Sequence, residues 1–322
     1  MPQIYDFCIA TDWEYDRDFL HLVQHYAQQV HGLSTYIVEP FNLEETIRKL
    51  RNQELAFNFL FDRGSDSTPE FLDLHRWLVE RGTPVLDPLE RLRWASDKAT
   101  MHLEFISNGL ITPYTIIIPP FSTTADLFLS VADLAKLGRP FIIKPANTTG
   151  GGIGVVNGAE TLQDVLQVRK EYGDDKYLLQ EKVIPLEKDQ KRFWFRGFYC
   201  CGIIECAWWN DLTHVYESLT AEDITNFQLQ PLFDIVKKIS TLIKLNFFST
   251  EIAMNRRSEF IVVDYVNEIC DMRLKSVHFD GVPDEIVKKI ASQIAKYVWE
   301  RIAEAGRNRS LPLFVTTNHD FR

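Results

Sequence analysis

Cysteine is scarce in this chain, and no two cysteines form a C-x-x-C pair. The chain has five of them in 322 residues, at Cys8, Cys200, Cys201, Cys206 and Cys270. An odd number without paired spacing does not suit a disulfide framework, and the spacing of a zinc finger is absent as well. The pattern indicates a reducing compartment, in which most cysteines are small buried side chains.

Excess positive charge and long apolar runs are also lacking. Lys and Arg number 35 against 45 Asp and Glu, so the formal charge is -10 at pH 7. Such a chain is not drawn nonspecifically to nucleic acid or to anionic membranes. The N-terminal segment has no basic region followed by an apolar stretch, and no window of about 18 apolar residues occurs. We therefore expect a soluble cytoplasmic protein.

The commonest nucleotide and hydrolase motifs are missing too. No Gly-Lys pair exists for a P-loop, the glycines at 150–154 do not fit G-x-G-x-x-G, and neither G-x-S-x-G nor H-E-x-x-H occurs. A P-loop, the usual dinucleotide-binding turn, a serine-hydrolase elbow and a helical zinc-protease site are therefore not indicated.

Hydrophobic periodicity predicts two kinds of fold along the chain. Over the first ninety residues or so, short apolar runs alternate with amphipathic stretches, which predicts βαβ units and a parallel sheet, with residues 84–87 as one more strand. Further on, strands alternate with helices, one of them expected over 125–138. The pairs FWFRGFYC with GIIECAWW and FFSTEIAM with EFIVVDYV have the form of antiparallel hairpins. A last helix is expected over 284–304.

The segment FIIKPANTTGGGIGVV offers the first candidate site. An apolar strand ends at Lys144, and a flexible loop follows whose N–H groups could surround phosphate oxygens, namely Thr148, Thr149, Gly150, Gly151 and Gly152. A tight hairpin with an incidental lysine is the alternative. Lys98, on the helix capped by Asp97, would supply a second cation, or else is an ordinary solvated lysine.

Two further groups follow apolar strands. The segment LLQEKV ends its strand with Glu181 and Val183, as expected of a hinge that reads adenine, although a solvated edge strand is the better explanation of this segment taken alone. Glu251, Asp264 and Asn267 place oxygen donors at the ends of neighbouring strands. Such donors suit Mg²⁺ shared with phosphates, and a structural hydrogen-bond network is the alternative.

Taken in this order and spacing, these residues resemble an ATP-grasp enzyme. The resemblance covers roughly residues 84–305, and the preceding region resembles the Rossmann-like domain of D-alanine-D-alanine ligases, glutathione synthetases and ribosomal-protein glutamate ligases. It implies a Rossmann-like N-terminal domain (1–95), a central ATP-grasp lobe (96–183) and a C-terminal ATP-grasp lobe with the metal site (184–322).

The resemblance also implies a role for each residue. Lys98 and Lys144 would contact the α- and β-phosphates, and the loop from Thr148 to Gly152 would cover the γ-phosphate. ATP and Mg²⁺, expected as two ions with Mn²⁺ as a substitute, are the implied cofactors. The remaining nucleotide contacts would be Gln180, Glu181, Lys182 and Val183 at the adenine and Glu187 at the ribose, with Arg192 near the γ-phosphate.

Two departures from the family pattern stand out. The family's metal strand ends in Glu and Asn two residues apart, whereas Asp264 and Asn267 are three apart, which strict alternation puts on opposite faces. Either a bulge or the strand end lies between them, or Glu268 replaces Asn267. The segment CAWWND carries Trp208 and Trp209 where relatives commonly have arginine, which suggests a more apolar substrate pocket.

The implied reaction joins a carboxylate to an amine, with small-molecule or peptide substrates, through an acyl phosphate. Arg273 would hold a carboxylate or stabilise the tetrahedral intermediate, or else it pairs with Asp271 or Glu268. A small-molecule kinase and a catalytically silent nucleotide-binding regulator are the competing interpretations. A homodimer is the default expectation for such an enzyme.

Overall fold

A computed structural model describes residues 2–66, 68–148 and 152–309, the last three of them by backbone alone. The chain divides into two compact units, Met1–Leu86 with Lys288–Arg322 and Asp87–Val287. We call them the first and the second unit.

The first unit is built on a parallel sheet with the strand order β3-β2-β5, and β1 pairs in parallel with β4. Every residue of the middle strand is buried. The expected βαβ units and parallel sheet are thereby confirmed. Its elements are β1 (Gln3–Tyr5), β2 (Phe7–Thr11), α1 (Arg17–His25), β3 (Thr35–Val38), α2 (Pro40–Arg51), β4 (Leu55–Phe57), β5 (Leu60–Arg63), α3 (Phe71–Glu80) and, from Lys288 onward, α10 (Asp284–Arg309).

The prediction of a strand over residues 84–87 is wrong. Val85 forms only an isolated parallel bridge with Leu60. Pro84 and Pro88 flank this bridge, and proline has no N–H with which to extend a ladder.

The described part of the second unit contains two larger antiparallel sheets and a two-stranded antiparallel sheet of β10 and β11. The central sheet has the strand order β6-β9-β7-β8, and the large sheet has the order β14-β13-β12-β15-β16. Its elements are α4 (Leu89–Ser96), α5 (Lys98–Ser107), β6 (Thr115–Ile118), α6 (Val131–Leu137), β7 (Phe141–Pro145), β8 (Val156–Ala159), α7 (Leu162–Val168), β9 (Tyr177–Glu181), β10 (Glu187–Lys188), β11 (Lys191–Arg192), β12 (Trp194–Cys200), β13 (Ile203–Trp209), β14 (Tyr216–Ser218), α8 (Ala221–Asn226), α9 (Gln230–Ile243), β15 (Phe247–Met254) and β16 (Phe260–Asn267).

The helix expected over 125–138 begins later than predicted. Ser130 caps α6, because its hydroxyl accepts from the N–H of Asp133. The carbonyls of Pro119, Thr124 and Ala125 instead accept hydrogen bonds from the buried guanidinium of Arg169. These long-range bonds hold the preceding segment outside the helix, and periodicity alone does not reveal them.

Both expected hairpins of the large sheet are confirmed. β12 pairs with β13, and β15 pairs with β16. Cys201 and Gly202 form the first turn, with φ angles of 46° and 101°. Two consecutive positive φ values are typical of the two-residue turns that join twisted antiparallel strands.

One face of the large sheet carries the main core. Phe193, Phe195, Trp208 and Phe248 belong there to one buried cluster with apolar residues of α9, namely Leu232, Val236, Ile239 and Ile243. A Cβ at Gly197 would collide with Val236, so glycine permits this close approach of helix and strand. Because side chains alternate along a strand, the other face is left for a different set of residues.

The central sheet lies within the predicted central lobe and the large sheet within the predicted C-terminal lobe. The division at 95 and 183 itself stays a prediction. Among the described helices, none has both the length and the apolar character needed to cross a bilayer.

Candidate active site

Charged side chains form a row across the second face of the large sheet. Arg196 on β12 pairs in register with Glu251 on β15, and Glu251 pairs with Asp264 on β16. Directly opposed residues on neighbouring strands lie side by side on the same face. The register therefore brings together three charged groups that lie as much as 68 positions apart in sequence.

Irregular pairing explains the unusual spacing of Asp264 and Asn267. Glu251 pairs with Asp264, whereas Ser249 pairs with Asn267, so the register shifts by one residue between the two pairs. A second shift separates Glu251 from Ile252. An extra residue in one strand restores a shared face to positions three apart. Of the alternatives left open by the sequence, the structure contains the bulge, and Asn267 is also the last residue of β16.

Two lysines, Lys98 and Lys144, also lie close to Asp264. The Nζ atoms of Lys98 and Lys144 lie 3.6 and 3.8 Å from the same oxygen, Oδ1 of Asp264. The backbone N–H of Lys98 donates to the carbonyl of Ala146, at 3.0 Å. Because Ala146 is two residues beyond Lys144, this bond places the two lysines near each other. Asp97 caps α5 as predicted by accepting from the N–H groups of the second and third helical residues.

The charged side chains of this cluster shift one another's pKa values. Lys144 is only 6 % exposed. Burial lowers its pKa to about 8, with Asp264 opposing the shift and Lys98 adding to it. Burial raises the pKa of Asp264, but the charges of Lys98, Lys144 and Arg196 lower it below its usual value. Three cationic and two anionic side chains make up this cluster. Their net positive charge favours the binding of an anion.

Arg196 is the residue that the sequence argument left out of the site. Its Nη2 lies 2.7 Å from Oε1 of Glu251, and its guanidinium carbon lies 5.0 Å from the ring centroid of Trp209. Burial opposes the charge, yet Glu251 raises the pKa of Arg196. Within the described part of the chain, the buried Nε and Nη1 atoms have no hydrogen-bond partner. Buried donors without acceptors are costly, so they indicate a place for an anionic ligand.

Arg192, the arginine that the resemblance selected, has other partners. Its Nε and Nη2 donate to Asp211 at 2.5 and 3.0 Å, and its Nη1 bonds to Glu187. Glu187, expected at the ribose, is exposed on β10. In the part of the chain that the structure describes, neither residue forms an ion pair or hydrogen bond with the Asp264 cluster. Alternation could not separate the two arginines, because positions four apart share a face of a strand; the pairing of Arg196 with Glu251 distinguishes them.

Arg273 lies between two carboxylates. Its guanidinium donates to Asp271 at 2.7 Å and to Asp280 at 3.1 Å. The salt bridge to Asp271, one of the two alternatives from the sequence, is therefore present. A role for Arg273 at the substrate stays a prediction.

The expected adenine hinge splits into an inward and an outward part. The side-chain amide of Gln180 is buried and donates to Thr115 and Tyr265, so this side chain supports the fold. Glu181 accepts from the N–H of Tyr114 at 2.7 Å, and Lys182 is exposed. Val183 packs with Trp194 on the second face of the large sheet, beside the charged row.

The entrance to the glycine-rich loop is held by Asp175. Its carboxylate accepts from the N–H groups of Asn147 and Thr148 at 2.8 and 3.1 Å. Gly152, with φ 80°, has open space where a side chain would stand. Thr149, Gly150 and Gly151 lie outside the described residues. Asp175 was not expected from the sequence, since its partners are almost thirty positions away.

The two tryptophans of CAWWND have different environments. Trp208 is 5 % exposed and packs with Phe193, Phe195 and Phe227 in the main core. The suggestion that it lines a substrate pocket is wrong, because alternation turns it toward α9. Trp209 faces the other way and lies beside Arg196.

The donors expected for a metal are grouped, but they are few. Within residues 2–66, 68–148 and 152–309, no three His, Cys, Asp or Glu side chains lie close enough together to hold a metal ion. Glu251 and Asp264 are cross-strand neighbours, and the oxygens of Glu251 also accept from Arg196 and from the indole of Trp194 at 3.1 Å. Two carboxylates beside three cationic side chains fit Mg²⁺, which commonly takes its other ligands from phosphates and water.

Comparisons with known proteins bear on the fold. The sequence matches no described protein family and no curated protein. Solved structures do match. A RimK domain ATP-grasp protein from Sphaerobacter thermophilus is 17% identical, with a TM-score of 0.60 and coverage of 90% of this chain and 99% of its own.

Two other solved structures agree. D-alanine–D-alanine ligase from Bacillus anthracis, complexed with ATP, is 12% identical, with a TM-score of 0.62 and coverage of 95% of this chain and 100% of its own. The ATP-grasp ligase PsnB, complexed with minimal precursor, Mg and ADP, is 11% identical, with a TM-score of 0.58 and coverage of 92% and 98%. The chain described here has the ATP-grasp fold.

Proposed function

We propose that this protein is an ATP-dependent carboxylate–amine ligase. The observation that carries the proposal is the meeting of Lys98 and Lys144 at Asp264, beside the Arg196–Glu251 pair. Cations around a pair of carboxylates, on a sheet face next to the apolar Val183, suit the phosphates, the metal and the base of one nucleotide. The names of the similar structures support this class, since two of them are ligases.

Each residue has a role that follows from its position. Lys98 and Lys144 would neutralise phosphate oxygens, and burial makes Lys144 a stronger electrostatic partner than a solvated lysine. Arg196 would direct its two unpartnered donors at the transferred phosphoryl group or at the acyl carboxylate. Val183 would contact the adenine. Glu251 and Asp264, with Asn267, would hold Mg²⁺, which when bound shields the phosphate charge during transfer.

The reaction needs no nucleophile from the protein. An oxygen of the substrate carboxylate attacks the γ-phosphorus, the bond to ADP breaks, and an acyl phosphate forms. The amine then attacks the acyl carbon, phosphate leaves, and the amine loses a proton to form the amide. The protein positions the reactants and stabilises the charge that develops, which is the main contribution to phosphoryl transfer.

The substrates are proposed as a small-molecule or peptide acid and an amine. Trp209 and Trp194 make the surface beside Arg196 partly aromatic, so we infer an acid with an apolar portion next to its carboxylate.

The proposal is tested by incubating the protein with MgATP and pairs of amino acids or short peptides, and by measuring ADP release. Mass spectrometry of the active pairs should show a condensed product lighter by one water than the sum of both substrates. Phosphorylation of a hydroxyl substrate would instead indicate the kinase alternative. ATP binding with no ADP release from any pair would favour the silent regulator.

A further inference from the structure

A buried hydroxyl joins three segments that carry candidate site residues. The hydroxyl of Tyr265, the residue after Asp264, lies 2.7 Å from Nδ1 of His102 and 2.7 Å from Nε2 of Gln180. His102 lies one turn beyond Lys98 on α5, and Gln180 precedes Glu181 on β9. One atom thus contacts the helix of Lys98, the hinge strand and the strand of Asp264.

The hydrogen bonds of this network have a consistent direction. The amide of Gln180 donates both to Tyr265 and to Thr115 Oγ1, at 2.7 and 2.9 Å. The tyrosine hydroxyl therefore accepts a hydrogen bond from Gln180 and donates its own hydrogen to Nδ1 of His102. Burial, with a smaller effect from Lys144, lowers the pKa of His102, so the ring is neutral and its Nδ1 can accept.

The three residues that meet at this hydroxyl are shielded from water. Tyr265 is 0 % exposed, and Gln180 and His102 are buried as well. Removing the hydroxyl takes one hydrogen bond from each of its two buried partners, although Gln180 keeps its bond to Thr115 and His102 keeps a longer one, of 3.4 Å, with Thr112. A buried hydrogen bond lost in this way costs about 1 to 3 kcal/mol. The relative positions of the three segments are therefore coupled to this hydroxyl.

The aromatic ring of Tyr265 has separate contacts. Nζ of Lys144 lies 5.3 Å from the ring centroid, and Phe105 packs edge-on at 5.4 Å. Replacement by phenylalanine keeps both contacts and removes only the hydroxyl. The effect of the network can thus be separated from packing.

We propose that Tyr265 is a positioning residue, whose hydroxyl holds Asp264 in place relative to Lys98 and to the hinge at Glu181. This inference rests on the proposed function. Groups that orient metal-binding carboxylates typically change metal affinity by about 10- to 100-fold when they are removed. The loss should therefore appear in the binding of the magnesium nucleotide, whereas a purely structural hydroxyl would lower only the thermal stability.

The test uses the full chain and AMPPNP, a non-hydrolysable ATP analogue, titrated calorimetrically with Mg²⁺ and again with EDTA. The variant is Tyr265→Phe. Tyr177→Phe is a matched control, because that buried hydroxyl also makes two hydrogen bonds, at 3.1 and 3.2 Å, but only to Val168 and Tyr172. We expect Tyr265→Phe to bind Mg-AMPPNP about tenfold more weakly, with a smaller change in EDTA. Tyr177→Phe should match the wild type in both titrations.

A second pair of variants covers the case in which Tyr265→Phe does not fold. His102→Leu removes the acceptor, whereas His102→Asn presents an amide oxygen near the position of Nδ1. Binding of Mg-AMPPNP should fall in the leucine variant and largely recover in the asparagine variant. Equal affinities in these two variants would contradict the proposal.

The outcomes separate this inference from the proposed function. Should the wild type not bind AMPPNP at all, the proposed function fails, and the inference with it. When the wild type binds, equal affinity in Tyr265→Phe overturns the positioning role alone. An equal loss in Tyr265→Phe and Tyr177→Phe overturns it too, because any buried hydroxyl would then have the same effect.

Discussion

Replacing Lys144 by methionine tests the nucleotide site most directly. The variant keeps the aliphatic side chain and removes the ammonium group that lies 3.8 Å from Asp264 and 3.3 Å from the carbonyl of Val263. Hydrogen bonds to charged groups contribute about 1.5 to 3 kcal/mol. Loss of such a bond to a phosphate weakens binding by roughly 10- to 150-fold.

The same change should not destabilise the protein without nucleotide. Burial lowers the pKa of Lys144 to about 8, from 10.5. This difference corresponds to roughly 3 kcal/mol by which folding disfavours the charged lysine. This penalty is complete below pH 8 and is lost as the pH rises from 8 to 10.5. At pH 7, Lys144→Met is therefore expected to raise the free energy of unfolding, or at least not to lower it.

The assay is a thermal melt with and without MgATP. A ligand at 100 times its Kd adds about 2.7 kcal/mol to the stability, and after a 100-fold loss of affinity it adds only about 0.4 kcal/mol. For a unit of about 200 residues these values correspond to Tm shifts of roughly 5 to 10 °C for the wild type and 1 to 2 °C for the variant. Lys136→Met, which removes an exposed lysine of α6, serves as the control and should keep the full shift.

Two results would refute the reasoning. A full MgATP shift in Lys144→Met would show that this ammonium does not contact phosphate. A loss of several kcal/mol in the unliganded variant would show that Lys144 is a stabilising ion pair, and that its burial serves the fold.

Three other predictions follow from the same geometry. Asp264→Asn should keep AMPPNP affinity in EDTA within about tenfold of the wild type, while ADP release falls by at least about 100-fold; equal turnover would exclude Asp264 as a metal ligand. Arg196→Met should lower ADP release by about 100-fold, whereas Arg192→Met, on an exposed pair with Glu187, should lower it far less; the reverse order would restore the choice made from the sequence. Burial raises the pKa of Asp87 to about 6, against the hydrogen bonds from Asn246 and Phe247. Because this folded value exceeds 3.8, its contribution to stability is complete below pH 4 and is lost as the pH rises through 6, by about 3 kcal/mol. Denaturant titrations at pH 4 and 7 should show that Asp87→Asn lacks this loss, and an unchanged pH dependence would contradict the assignment.

Much of the candidate site could be proposed from the sequence because it depends on local pattern. Lys144 ends an apolar strand and precedes glycines, Lys98 follows a capping aspartate, and Glu251 and Asp264 interrupt apolar runs. A charged residue inside such a run is costly unless a partner or ligand compensates it. Each of these signals is contained within a few neighbouring residues, so reading it does not require the rest of the fold.

What the tertiary structure decided was which face each side chain takes and which groups meet. Arg196 rather than Arg192 pairs with Glu251 because of the register with β15, and Trp208 is buried because α9 covers its face of the sheet. One of the two register shifts between β15 and β16 lies between Asp264 and Asn267, and it allows positions three apart to share a face. Side-chain direction in a strand has a period of two, so one inserted residue reverses it, and pairing between distant strands is set by packing that no local pattern records.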